Sequence, residues 1–262
     1  MATLFRPSVK PLLRGVAWSA NPVTFARACG FSPDPRQADV LRSRARQLML
    51  LCTRQWGKSS VVALLALHEA IVRPPALVLV FARAQRQAGE LLRKAKDSLA
   101  GLGPLAPKLE SDSVLSIEFV TGSRIIALPS NEANVRAYSP QLMIFDEGAR
   151  VPDELYFAGR PMLAATRGRL IALSSAWATQ GWFYNEWTQG GPDWERITVT
   201  APECPRLDAA WLAAERAAIG DRAYRREYLC EFGDVDESVF PFDLVMSAFS
   251  SDVKPLFPVV RP

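Results

Sequence analysis

Four short stretches of this chain are apolar at almost every position: QLMLLC (47–52), ALVLVFA (76–82), QLMIF (141–145) and RLIALSS (169–175). A strand with one wet face alternates apolar and polar residues. These do not, so they are predicted to be strands covered on both faces. Segments with a helical period lie among them. KSSVVALLALHEAIV (58–72) reads as a buried helix, and QRQAGELLRKAKDSLA (85–100) places Ala88, Leu91, Leu92 and Ala95 on one face before Gly101. Buried strands alternating with helices predict an α/β fold: a mostly parallel sheet with helices on both faces.

Other segments fill in this frame. WERITVT (194–200) supplies a further strand, and SIEFVTGSRIIALP (116–129) predicts a hairpin turning at Thr121-Gly122. Asp34-Pro35 predicts a helix start, with Ala38, Leu41 and Ala45 on its inner face. Residues 1–22 carry Arg6-Pro7, Lys10-Pro11 and Asn21-Pro22 without a clear period, which predicts an irregular arm. After Pro205 the run LDAAWLAAERAAIGDRAYRREYLCEF predicts a small helical subdomain broken at Gly220. The expected organisation is an arm (1–27), an α/β core (28–200), a helical subdomain (201–240) and a tail (241–262).

Composition excludes several functions. No apolar run reaches the ~18–20 residues of a membrane-spanning helix, and the N-terminus lacks the pattern of a secretory signal. The 4 cysteines form no CxxC pair, which argues against zinc knuckles and redox motifs and predicts reduced thiols. With 1 histidine, His68, an HExxH metalloprotease is impossible. The net charge of +4 is uneven: residues 1–110 hold 17 Lys/Arg against 6 Asp/Glu, and residues 111–262 hold 14 against 21. A basic half suits a polyanion such as nucleic acid or nucleotide, although a solvated face has the same composition.

The segment C-T-R-Q-W-G-K-S (52–59) has the spacing of a phosphate-binding loop, GxxxxGK[ST], with Cys52 in place of the first glycine. Such a loop needs a strand, a turn exposing backbone N–H groups, and a helix N-terminus aimed at phosphate. The predicted order of strand, turn and helix supplies that context for Thr53, Arg54, Gln55, Trp56 and Gly57. Lys58 would reach the β- and γ-phosphates, and the Ser59 hydroxyl would ligate Mg²⁺. LMIFDE (142–147) ends a buried strand on two adjacent carboxylates, at the strand end where open α/β sheets bind ligands. Asp146 is placed to hold Mg²⁺, and Glu147 to orient or deprotonate an attacking water. Each motif alone has a plainer reading, as a helix cap or an acidic turn. Their joint occurrence in this order favours phosphoryl chemistry. Gln37 precedes the loop by 20 residues and could read an adenine edge or face solvent. Ser174 and Ser175 end the next strand and could sense the γ-phosphate or simply begin a loop.

Taken together, these motifs resemble the N-terminal ATPase domain of the large terminase subunit, the DNA-packaging motor of tailed bacteriophages. The resemblance runs over about residues 28–240. It is carried by FSPDPRQ (31–37), TRQWGKS (53–59), LPSNEANVRAYS (128–139), LMIFDEGA (142–149), ALSSA (172–176) and RREYLCEF (225–232). It implies a P-loop NTPase fold of the RecA/ASCE kind in which the helical subdomain is a lid. It implies ATP and Mg²⁺ as ligands, with Gln37 at the adenine, Lys58 at the phosphates, and Ser59 and Asp146 at the metal. Glu147 becomes the catalytic carboxylate, and Ser174 and Ser175 the residues coupling hydrolysis to movement. Arg54 is the phosphate-loop arginine acting in cis. Arg136 is a candidate finger on the neighbouring subunit's ATP, or else a structural arginine paired with an acid such as Glu132. The implied partners are double-stranded DNA without sequence preference, a portal protein, a small terminase subunit and further copies of the chain in a ring, in the host bacterial cytoplasm. Family members continue into an RNase H-like nuclease, and this sequence stops at Pro262, so no nuclease activity is expected from it. The alternatives are a helicase-like DNA-dependent ATPase and a nucleotide-binding structural subunit that does not hydrolyse. The absence of a second RecA-like unit argues against the first. Glu147 argues against the second, which Cys52 keeps open.

Overall fold

A computed structural model describes residues 9–129, 138–233 and 247–248. Among these, eight strands form one sheet: β1 (Gln47–Cys52), β2 (Leu77–Ala82), β3 (Leu109–Ser113), β4 (Ser116–Phe119), β5 (Arg124–Pro129), β6 (Leu142–Asp146), β7 (Arg169–Ser174) and β8 (Trp194–Val199). Their order is β3-β4-β5-β2-β6-β7-β1-β8. All neighbours from β5 to β8 run parallel, and β3-β4-β5 is an antiparallel meander at one edge. The four apolar runs are β2, β6, β7 and β1, the four inner strands of the parallel part of the sheet. Alternate side chains of β1 enter different cores: Leu48, Leu50 and Cys52 on one face, Met49 and Leu51 on the other. That two-sided burial explains why these strands do not alternate.

The predicted helices 58–72 and 85–100 are α4 (Lys58–Val72) and α5 (Gln85–Gly101). α4 is buried along most of its length because it lies centrally on one face of the sheet. The hairpin forms as read, with Gly122 at φ +83 in its turn. β3 has no signal in the local pattern. Its sequence LESDS is exposed at every position, and a short charged strand at a sheet edge discourages further pairing.

The N-terminal reading needs correction. Residues 9–28 are not irregular: they form α1 (Val9–Ala20) and α2 (Pro22–Ala28). Pro11 and Pro22 stand in the first turns of helices instead of breaking them. Asn21 caps α2, its side chain accepting from the Val23 amide at 3.0 Å, and Pro22 occupies the first turn, where no N–H is needed. Trp18 and Phe25 are buried against α4, with Phe25 edge-on to His68 at 5.5 Å between ring centres. α3 (Pro35–Arg42) starts at Asp34 as predicted but ends before Ala45; Val40 joins Ala38 and Leu41 inside. α6 (Asp153–Gly159) and α7 (Trp182–Thr188) cover the sheet's other face, where Tyr156 and Trp182 stack at 4.0 Å. The helical subdomain is α8 (Ala209–Ile219) and α9 (Asp221–Tyr228), broken at Gly220 (φ +81). Residues 234–240 at the end of the predicted subdomain, and the tail (241–262) except 247–248, lie outside the described residues.

Candidate nucleotide site

The loop between β1 and α4 is held open by its backbone. Gln55 (φ +63) and Gly57 (φ +89) adopt left-handed conformations. At Gly57 an added Cβ would also stand 3.2 Å from the Gln37 amide nitrogen, so glycine is needed there twice over. Cys52, in the place of the usual first glycine, is the last residue of β1 and pairs in register with Val199. It has no positive φ, and its thiol is buried in the core, where burial pushes its pKa up. The turn at this position is made without glycine.

Three strand ends bring the chemistry together. β7 lies between β1 and β6, with Leu51 opposite Ser174 and Asp146 opposite Leu173. Lys58, at the first turn of α4, places Nζ 3.3 Å from Oε1 of Glu147. The Ser174 hydroxyl donates to the other carboxylate oxygen, Oε2, at 3.4 Å. Glu147 itself sits at φ +51, a conformation that costs a non-glycine residue about 1–3 kcal/mol and is typically retained at functional sites. Asp146 is buried and accepts the Glu147 amide at 3.1 Å. Burial pushes its pKa up to about 6; the adjacent Glu147 charge adds to the rise and Lys58 opposes it. A buried carboxylate with so little counter-charge fits a divalent cation. No cluster of three or more acidic, His or Cys ligands exists among the described residues. A cation here would draw on Asp146, the Ser59 hydroxyl, phosphate oxygens and water, which is the habit of Mg²⁺. Ser175 is buried beyond the end of β7.

Two residues have neighbours that the sequence did not disclose. Gln37 is buried, and both ends of its amide are committed. Oε1 accepts the Asp34 N–H at 3.0 Å, closing a capping box on α3, and Nε2 donates to the Trp56 carbonyl at 2.8 Å. Gln37 thus braces the loop from beneath. Arg206, between β8 and α8, donates to the same carbonyl and pairs with Asp34 at 3.2 Å. Arg54 turns to α9, its Nε 2.5 Å from Oε2 of Glu227. Arg206 and Glu227 escape a sequence reading because long-range partners leave no local pattern. For Glu227 the only available signal is its place in the lid motif. Arg136 lies outside the described residues.

A mostly parallel sheet carrying a phosphate loop after one strand, paired acids after a second, and a small hydroxyl residue on the strand between them defines a P-loop NTPase fold. The match to known proteins is narrower. The family model described as terminase large subunit, T4likevirus-type, N-terminal, matches residues 49–246, so the chain belongs to the terminase large-subunit family. The large terminase ATPase domain of Thermus phage P74-26 superposes with a TM-score of 0.71 at 21% identity, over 79% of this chain and 96% of that one. The HK97 bacteriophage large terminase gives 0.64 at 17% identity, over 77% of this chain and 51% of that one. The large terminase of a thermophilic bacteriophage, in complex with ADP, gives 0.61 at 12%, over 76% and 54%. At these identities the likeness is one of fold, and the chain spans about half the length of the latter two proteins.

Proposed function

We propose that this chain is an ATPase that drives double-stranded DNA into a viral procapsid. The observation that carries this reading is the contact of Lys58 with Glu147, backed by Ser174, at the ends of three adjacent strands. Without nucleotide, Lys58 and Glu147 neutralise each other. Incoming β- and γ-phosphates compete for Lys58 as a stronger anion, which releases Glu147 to act on water while Ser174 limits its swing. Ser59 and Asp146 would hold Mg²⁺, which supplies charge neutralisation on the phosphates when bound. Family membership and the thermophilic phage terminase complex with ADP support nucleotide as the ligand. Base reading by Gln37 would require it to give up one of its two bonds. The proposed partners are the portal protein, a small terminase subunit and further copies of the chain in a ring, acting in the host cytoplasm. Cys52 does not favour a non-hydrolysing subunit, since it sits in ordinary strand.

Phosphate release and nucleotide binding in two variants test the roles. Lys58→Ala should lose both affinity and turnover, because the lysine charge is spent on the bound phosphates. Glu147→Gln should still bind ATP and leave it unhydrolysed, with turnover down by ~10²-fold or more. Equal loss of ATP binding in the two variants would overturn the assignment.

A further inference from the structure

The end of the sheet opposite Lys58 and Glu147 holds a second concentration of charge. A cavity of about 270 Å³ opens at the amino ends of β1 and β7, where Arg46 precedes the one strand and Arg169 begins the other. Leu41, Ser43, His68 and Glu69 make a buried floor. Five arginines line it: Arg44 and Arg46 before β1, Arg73 after α4, and Arg167 and Arg169 at the start of β7. The lining holds one carboxylate, Glu69, which takes Arg73 at 3.3 Å. A second, Glu195, stands behind Ser43 and accepts its hydroxyl at 2.7 Å. Arg44 donates to the carbonyls of Ser19 and Ala20 at 3.5 and 3.4 Å. Arg169 donates to those of Ala45 and Ser43 at 2.9 and 3.3 Å. Carbonyls satisfy N–H groups but carry no net charge to cancel a guanidinium. The side chains of Arg46 and Arg167 have no hydrogen bond or ion pair among the described residues. Burial holds Arg169 below its usual pKa; Glu69 opposes the fall, and Arg73 and Arg44 add to it.

We propose that this cavity binds a phosphate dianion, free or as the end group of a phosphomonoester, at a site separate from the nucleotide. Size and charge set the class of ligand. The cavity falls just below the ~300 Å³ at which pockets for drug-sized molecules begin, so its occupant is small. Guanidinium forks match phosphate oxygens two at a time and remain charged throughout the physiological range. Arg46 and Arg167 supply uncommitted donors, and Arg169 supplies charge from a setting that solvent screens less. A phosphodiester carries one charge and must leave the cavity on two sides. A dianion with at most one substituent leaves through the mouth alone. None of these residues belongs to the phosphate loop or the paired acids, so the site stands independently of the ATPase reading.

The test separates this site from the phosphate loop. Thermal melts and calorimetric titrations use inorganic phosphate at about pH 8, above its second pKa, against sodium chloride of equal ionic strength. The chains are wild type, Lys58→Ala, and a double variant carrying Arg46→Gln and Arg167→Gln. Phosphate at about 10 mM should raise the melting midpoint by roughly 2–5 °C in wild type and equally in Lys58→Ala. The double variant should melt no lower than wild type in chloride, because it loses like charges that repel and no bond. Its phosphate affinity should fall about tenfold or more. Arginines with a merely structural role would instead lower the midpoint in chloride. Either single variant serves if the double variant folds poorly, with a loss of about threefold or more. Methyl phosphate distinguishes the two sources: binding within about threefold of phosphate assigns the site to a terminal monoester, and a larger loss assigns it to free phosphate, each in support. No gain over chloride overturns the proposal. So does a gain that disappears in Lys58→Ala and persists in the double variant, which would put the phosphate in the loop. Displacement of phosphate by a duplex without terminal phosphates also overturns it, in favour of a nucleic-acid contact.

Discussion

At the scale of single residues, the site is built from side chains that do two things at once. Gln37 closes the capping box of α3 with one end of its amide and fastens the phosphate loop with the other. Replacing it by alanine removes a cap contact and a buried hydrogen bond, and leaves the Trp56 carbonyl to Arg206 alone. The expected loss is about 1–2 kcal/mol of stability. A brace on the loop backbone acts on phosphate and not on base. Gln37→Ala should therefore weaken ATP and GTP by the same factor, as competitive displacement of a fluorescent nucleotide would reveal. A fall in ATP affinity alone would assign Gln37 to the base. Glu147 is similarly placed: its left-handed backbone directs its carboxylate to Lys58 and Ser174, which residue type alone does not require.

At the scale of elements, the central helix α4 depends on the N-terminal pair α1 and α2. His68, the only histidine of the chain, shows how. Its Nε2 donates to the Trp18 carbonyl at 2.9 Å, and its ring meets Phe25. Burial lowers its pKa below 6.5, more than the Trp18 bond raises it, and nearby Arg44 and Arg73 add to the fall. The sign follows from linkage. As pH drops below 6.5 the unfolded chain takes the proton first, so the stability held above that value is lost as pH falls toward the folded pKa. Thermal melts at about pH 7.5 and about pH 5.5, either side of the ordinary histidine pKa, should show a drop in midpoint that is smaller in His68→Gln. Glutamine retains an N–H donor without titrating. An identical drop in both chains would show that carboxylates alone carry the acid sensitivity.

At the scale of the whole molecule, the topology places the proposed chemistry at the carboxyl ends of the strands. A trans-acting arginine is worth ~10³–10⁵ in rate for phosphoryl transfer. Arg136 is the proposed finger, eleven residues before Glu147. Dilute protein should then bind ATP but turn it over slowly, with activity rising faster than linearly with concentration. Mixing Arg136→Ala with Glu147→Gln should restore part of the hydrolysis, because each variant supplies at a shared interface what the other lacks. Phosphate release strictly proportional to concentration, with no rescue in the mixture, would remove Arg136 from that role.

The local sequence was enough to determine the strands β1, β2, β6 and β7, the helices α4 and α5, the break at Gly220, and the two phosphate-site motifs. Each of these rests on hydrophobic period, turn chemistry or a fixed short spacing, and such signals survive in a window of a dozen residues. The N-terminal helices are hard to read because proline carries opposite meanings inside a helix and at its first turn, and Asn21 and Pro22 settle the matter only once the cap is seen. Only the tertiary structure decided that β7 would run between β1 and β6, which brings Ser174 to Glu147. The same holds for Gln37 beneath the loop, and for Glu227 drawing α9 onto Arg54 from 173 residues away. A charge or an amide has no period and no preferred separation in sequence. Its partner is chosen by whichever surfaces the packing of the apolar elements brings together.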